Sequence, residues 1–302
     1  MVRDIGGGEV ADEDPLKLWS PDARVLGASI SEIVTAYSLL LEVRYPEHHR
    51  AFQLRTASDP NAANAEAVVF SWLRWHGLSP TPSDTPGLGG PDFLCSPMWA
   101  APFLIEVTSL KPDAVSERSG WPDELNDRAH SFAMITPNLW SKTRNKASQL
   151  GGHEIARVLA ICLTHIGAGV LLGTLAAEWL MTSQPKLSVP IGDPITATRE
   201  VTDLRKSAFL AIRDGGIIAV RESISAVLLI AIWENQLHAV GMLHPEPAVA
   251  FDYHSLIELP FLRLDWPVMD GVLKTEWVIA RPAPRVDRHI PVSLTNEELR
   301  GT

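Results

Sequence analysis

Two carboxylates interrupt an otherwise apolar stretch between residues 89 and 111. Asp92 follows a Gly-Gly-Pro turn, and Glu106 lies inside the apolar segment 103–110. A carboxylate in such surroundings costs free energy unless a counter-charge or a hydrogen-bond donor accompanies it. The chain must therefore fold so that each of these two side chains finds a partner.

Segment 103–110 has the composition of a β-strand, whose side chains alternate between two faces. Glu106 and Thr108 therefore share one face, and the other face, with Phe103, Ile105 and Val107, points to the core. Asp92 begins a short strand just before, and a short turn brings the two strands side by side. Two carboxylates at adjacent strand ends, with room for water, suit a hard cation such as Mg²⁺.

Two helices and a further strand are predicted on either side of these strands. Segment 60–76 has an apolar stripe at helical spacing and carries Glu66. Segment 140–150 is predicted to be a second helix, and segment 157–164 a buried strand. Polar residues follow one another at i, i+4 and i+7 along the second helix: Lys142, Lys146 and Gln149.

This order of elements resembles the PD-(D/E)XK nuclease superfamily, which has the restriction-endonuclease-like fold. The residues that match its motif are Pro91-Asp92 and then, on the next strand, Glu106-Val107-Thr108. The resemblance implies a central mixed sheet flanked by helices, a bound Mg²⁺ or Mn²⁺, and endonuclease cleavage of phosphodiester bonds. Nucleic acid, and DNA in particular, is the partner that it implies.

The resemblance covers residues 60 to 165 and assigns roles within them. It implies that Asp92 and Glu106 are catalytic metal ligands and that Glu66, on the first helix of the superfamily core, joins the metal site. It also implies that polar residues of the second helix face this site: Lys142, Lys146 and Gln149.

The chain departs from the motif at Thr108, where the superfamily usually has a lysine. A hydroxyl does not stabilise developing negative charge as a cation does. Lys111, three residues further on, and Lys146, on the second helix, are the candidates for this catalytic role. If neither reaches the site, the site is inert.

Other interpretations of the same residues stay open. Glu66 lies on the edge of an apolar stripe, where a glutamate commonly extends to water. Glu106 is also consistent with a structural ion pair to an arginine, and the lysines of segment 140–150 with a solvated helix face. The alternatives to a nuclease are therefore an inactive protein of the same fold that binds nucleic acid or a partner protein, and an unrelated α+β scaffold.

Three regions are predicted along the chain: 1–58, a mobile tail and an N-terminal helix; 59–183, the nuclease-like core; and 184–302, a β-rich C-terminal elaboration packed on the core. The fold class is α/β with a mixed sheet. The N-terminal helix is expected to begin at Ser20 and to end at Pro46. A short basic segment follows it, up to Arg55, with the composition of a solvated loop or a DNA-backbone contact.

Bulk properties limit the partners and the compartment. The net charge of −10 repels nucleic acid at long range, so a binding face needs a local basic patch or metal ions. Two cysteines and an N-terminus without an apolar segment favour the cytoplasm. The uncharged segment 158–177 fits a buried strand and helix better than a membrane span, since glycines interrupt it. A homodimer is compatible with all of this.

Overall fold

The computed structural model describes residues between 24 and 280. The described ranges are 24–25, 28–84, 90–110, 138–147, 150–152, 154–164, 174–183, 206–233, 236–268 and 273–280, with single residues 171 and 204. The helices in them are α1 (Ile30–Arg44), α2 (Pro46–Ser58), α3 (Pro60–Trp75), α4 (138–147) and α5 (Leu175–Thr182). The strands are β1 (Arg24–Val25), β2 (Pro80–Pro82), β3 (Phe93–Cys95), β4 (Phe103–Thr108), β5 (Ala156–Leu163), β6 (Leu210–Arg213), β7 (Gly216–Ala219), β8 (Ala226–Trp233), β9 (Gln236–Leu243), β10 (Pro260–Leu264) and β11 (Thr275–Ile279).

One mixed sheet contains nine of the described strands, in the order β2-β3-β4-β5-β8-β9-β10-β11, with β1 paired to β9. The neighbours β4, β5 and β8 are parallel and lie at its centre. All eight residues of β5 are buried, as expected for a parallel strand that is covered on both faces. The mixed α/β fold class predicted from the sequence is confirmed.

Helices cover both faces of the sheet. On one face α1, α2 and α3 form a core with the inward side chains of the strands, centred on Tyr37, Phe70 and Phe93. On the other face α4 and α5 contribute to a second core, with Leu139 and Leu180 among its residues. The strands that carry the motif therefore lie between two layers of helix.

The first three helices follow one another almost without a break. Ser29 caps α1 in a capping box with Glu32, so the helix begins at Ile30 and not near Ser20, which itself lies outside the described residues. Arg24–Val25, which were expected to be helical, form the strand β1. The basic segment that follows is not a loop but the helix α2, with Pro46 in its first turn. Asp59 ends α2 and caps α3. This arrangement puts the end of α2 beside α3.

The strand that precedes Asp92 is β2, which the sequence does not reveal because two of its three residues are proline. Proline removes a backbone donor and is tolerated at the edge of a sheet, where β2 lies. The strand β2 pairs with β3, and β3 pairs with β4, both antiparallel. The beginning of β3 is therefore adjacent to the later part of β4.

The second half of the chain extends the same sheet. The strands β8 and β9 pair antiparallel, and β10 and β11 continue the sheet beyond them. The strands β6, β7 and β10 were not predicted. The tail 1–18 and the region boundary at residue 184 lie outside the described residues. Within segment 158–177, β5 ends at Leu163 and α5 begins at Leu175, and no helix among the described residues is long and apolar enough to cross a membrane.

Close contact between β9 and β10 depends on Gly241, which is paired with Phe261. A Cβ atom at this position would overlap Cδ1 and Cε1 of the Phe261 ring. We predict that Gly241→Ala lowers the free energy of unfolding by about 1–3 kcal/mol, as overpacking does in other cores. Chemical denaturation measures this change, with Gly216→Ala as the control, because its nearest neighbour would be Arg213 O at 3.7 Å. Equal stability of the two variants would contradict the tight contact.

Candidate active site

The strands β3 and β4 bring the two motif carboxylates side by side. Phe93 pairs with Ile105, so Asp92, which immediately precedes β3, lies next to Glu106 and Val107. Asp92 Oδ2 accepts a hydrogen bond from the Val107 backbone N–H at 2.7 Å. This bond holds the aspartate across the strand pair, and Glu106 projects from the β4 face that α4 covers.

The helix α3 adds a third carboxylate, Glu66, which is 8% exposed. It does not extend to water at the edge of the apolar stripe. The Tyr37 hydroxyl donates a hydrogen bond to Glu66 Oε1 at 3.0 Å, and Arg55 Nη1 forms an ion pair with Glu66 Oε2. The same Nη1 lies 3.5 Å from Asp92 Oδ1. Arg55 therefore links two of the carboxylates.

The helix α4 brings a lysine to Glu106. Lys146 Nζ lies 2.5 Å from Glu106 Oε1 in a largely buried ion pair. On the neighbouring face of the helix Thr143 is buried and Ala147 packs in the second core, which fixes the direction of the polar face. Glu106 thus has a lysine partner and not the arginine of the structural alternative.

A cavity of about 290 Å³ connects these groups. This volume accommodates several water molecules, each of which takes about 30 Å³ in the liquid. The lining residues come from α2 and α3 on one side, from the end of β4, and from α4 on the other: Arg55, Asp59, Ala62, Glu66, Asp92, Glu106, Val107, Thr108, Ser109, Lys142 and Lys146. The cavity therefore lies at the end of β4, with α2 and α3 on one side and α4 on the other.

Burial of like charges dominates the electrostatics of this cavity. The pKa of Asp92 lies well above its ordinary value, because of burial first and then because of the charges of Glu106 and Glu66. Burial also raises the pKa of Glu106 and of Glu66, although Lys146 and Arg55, respectively, oppose the shift. The cluster is therefore short of positive charge.

Six of the residues assigned to the site from the sequence line this single cavity: Glu66, Asp92, Glu106, Thr108, Lys142 and Lys146. Lys111 and Gln149 lie outside the described residues. The sequence did not identify two residues of this site: Arg55, which was assigned to a basic segment, and Tyr37, which lies in the N-terminal helix. No signal in the sequence pairs these two residues with Glu66.

The donor chemistry of the cavity fits a hard divalent cation, because carboxylate oxygens are its preferred ligands. Asp92 and Glu106 would hold it, with Glu66 beside them. In the present arrangement Arg55 and Lys146 neutralise these carboxylates. Among the described residues, no group of three or more His, Cys, Asp or Glu side chains is arranged to hold a metal ion. Cation binding therefore requires these side chains to rearrange.

Comparison with protein-family models, with curated proteins and with solved structures finds no match to this chain. The resemblance to the PD-(D/E)XK superfamily stays a prediction that depends on the motif residues.

Crowding of carboxylates leads to a prediction about stability. We expect Asp92→Asn to stabilise the metal-free protein by about 1 kcal/mol, because it removes a buried charge beside Glu66 and Glu106, and functional sites commonly trade stability for such clusters. The asparagine oxygen still accepts the Val107 hydrogen bond. Thermal denaturation in mildly alkaline buffer without divalent ions measures the effect, with the exposed Asp265→Asn as the control. A clear loss of stability in Asp92→Asn alone would show that the carboxylate charge is well compensated.

Proposed function

We propose that the protein is a divalent-metal-dependent nuclease that hydrolyses phosphodiester bonds of DNA with Mg²⁺ or Mn²⁺. The contact between Lys146 and Glu106 is the observation that carries this proposal. Thr108 occupies the place of the motif lysine, yet an ammonium group from α4 reaches the same cavity as Asp92, Glu106 and Glu66. The site thus retains each chemical component that the motif requires.

Each side chain has a role in the proposed reaction. Asp92 and Glu106 bind the cation, with Glu66 in support, and the Val107 N–H keeps Asp92 oriented. A bound Mg²⁺ supplies polarisation of a phosphoryl oxygen and a lower pKa for a coordinated water. Lys146 orients the attacking water and stabilises the negative charge that develops on the phosphate.

Substrate binding is consistent with the distribution of charge. The chain carries a net charge of −10, so nucleic acid is attracted only by a local concentration of cations. Arg55, Lys142 and Lys146 line the cavity from two helices. Together with a bound divalent cation, these three side chains would offset the carboxylates of the cavity and attract a phosphate backbone. Lys111 remains an additional candidate for the catalytic cation.

We also propose a cytoplasmic location. Cys95 and Cys162 are free and buried, and burial raises the pKa of the Cys95 thiol to about 12. Two protonated thiols inside the core are compatible with a reducing compartment.

A second candidate function is an inactive protein of the same fold that binds nucleic acid or a partner protein. The observation that favours it is the existing neutralisation of the carboxylates by Arg55 and Lys146, which gives the cluster a structural role without any metal. The replacement of the motif lysine by Thr108 points the same way.

Metal binding is the first test of the proposal. We predict that Mg²⁺ or Mn²⁺ raises the melting temperature of the wild type, because a ligand of the folded state stabilises it by mass action. The shift should be lost in Asp92→Asn and in Glu106→Gln, and it should persist in Asp265→Asn. A full metal-dependent shift in both site variants would exclude these carboxylates as ligands.

Plasmid nicking with Mg²⁺ or Mn²⁺ tests the role of Lys146. We predict that Lys146→Ala lowers the rate by about a hundredfold or more, the scale of losing one electrostatic stabiliser of the transition state. Thr108→Lys in the same chain should restore part of the rate, because it returns an ammonium group to the motif position. Lys274→Ala is the control, because Lys274 is exposed and immediately precedes β11, at the opposite edge of the sheet from β2.

The outcome of this assay separates the two candidate functions. Wild-type protein without metal-dependent nicking would favour the inactive binder. Full activity in Lys146→Ala would leave the nuclease in place and transfer the catalytic cation to another residue, of which Lys111 is the first to test.

A further inference from the structure

Arg55 lies between the acidic side chains of the proposed site. It belongs to the last turn of α2, and its Nη1 forms an ion pair with Glu66 and lies 3.5 Å from Asp92 Oδ1. Its side chain is 35% exposed and lines the same cavity as Lys146. Arg55 is thus a cation that touches both the carboxylates and the open space in which a substrate phosphate would lie.

Neutralisation of Glu66 does not use the full capacity of this arginine. Tyr37 already donates a hydrogen bond to Glu66, and both ion pairs of Arg55 are made through Nη1. A guanidinium group has five N–H donors in a planar fork, which matches the geometry of a phosphate. Within the part of the chain that the structure describes, Arg55 donates no hydrogen bond through Nε or Nη2. Donors are therefore left for a ligand in the cavity.

We propose that Arg55 alternates between two partners. In the cation-free protein it neutralises Glu66 and Asp92, and in the loaded protein it binds a phosphate group of the nucleic acid. The inference rests on the nuclease function proposed above. It makes Arg55 a substrate-binding residue and, at the same time, an internal competitor of the metal ion.

Electrostatics gives the reason for the exchange. Glu66 and Asp92 attract Arg55 while their charges are otherwise uncompensated, and the attraction weakens once these carboxylates coordinate a divalent cation. Phosphate oxygens then become the strongest nearby acceptors, and arginine binds them through paired, charge-assisted hydrogen bonds. The partial exposure of the side chain at the end of α2 gives it room to turn toward the cavity.

The two roles predict opposite effects of one substitution. Arg55→Gln should bind Mn²⁺ about fivefold more tightly than the wild type in calorimetry, the scale of removing one partly exposed ion pair. The same variant should bind duplex DNA more weakly in fluorescence anisotropy with Ca²⁺ present. Its plot of log affinity against log salt should be less steep by about 0.9, the loss of one phosphate contact.

Arg50→Gln is the matched control, because Arg50 is an exposed arginine of the same helix that does not line the cavity. Its Mn²⁺ affinity should equal that of the wild type. Arg55→Lys is the second variant, in case Arg55→Gln fails to fold. Lysine keeps the positive charge but lacks the planar, forked donors of the guanidinium group. The Mn²⁺ affinity of this variant should therefore stay near that of the wild type, while its DNA affinity should fall.

The outcomes distinguish this inference from the function on which it rests. Unchanged or weaker Mn²⁺ binding by folded Arg55→Gln, or an unchanged salt dependence, overturns the exchange of partners and leaves the nuclease proposal intact. If Arg55→Gln does not fold, undiminished DNA affinity in Arg55→Lys overturns it. Failure of the wild type to bind Mn²⁺ overturns the nuclease proposal itself.

Discussion

The burial of three carboxylates around one cavity is the constraint on which the rest of the site depends. Glu66, Asp92 and Glu106 repel one another in surroundings that favour their neutral forms, and each therefore requires a donor or a cation. The chain supplies these from four separate elements: the Tyr37 hydroxyl from α1, Arg55 from α2, a backbone N–H from β4 and Lys146 from α4. One acidic cluster thus connects the strands β3 and β4 with the helix layers on both faces of the sheet.

Much of the fold was predictable where the pattern is local. The strands β4 and β5 are short apolar runs and the helix α3 has an apolar stripe at helical spacing, and these patterns identify the three elements. The helix α2 was missed because it buries little more than Phe52 and has no apolar stripe. The strand β2 was missed because its prolines are compatible with a strand only at a sheet edge, and edge position is a property of the assembled sheet.

The site was predictable in part for the same reason. Strand alternation and the motif predicted that Asp92 and Glu106 lie together, and the resemblance placed Glu66 near them. Sequence spacing did not separate Lys142 from Lys146, since both lie on one face of α4 and only the packing of that helix decides which reaches Glu106. The partnership of Arg55 and Tyr37 with Glu66 depends on how α1, α2 and α3 pack together, which no local pattern encodes.

We propose that the acidic cavity is a cation site whose carboxylates pair with Arg55 and Lys146 when no metal ion is bound. A crystal structure of the wild type soaked in Mn²⁺, measured at a wavelength where manganese scatters anomalously, tests it most directly. The account predicts an anomalous peak in the cavity, coordinated by Asp92 and Glu106, with Arg55 turned away from both Glu66 and Asp92. A cavity without a manganese peak, in which the Arg55–Glu66 and Lys146–Glu106 pairs remain intact at saturating Mn²⁺, would contradict it.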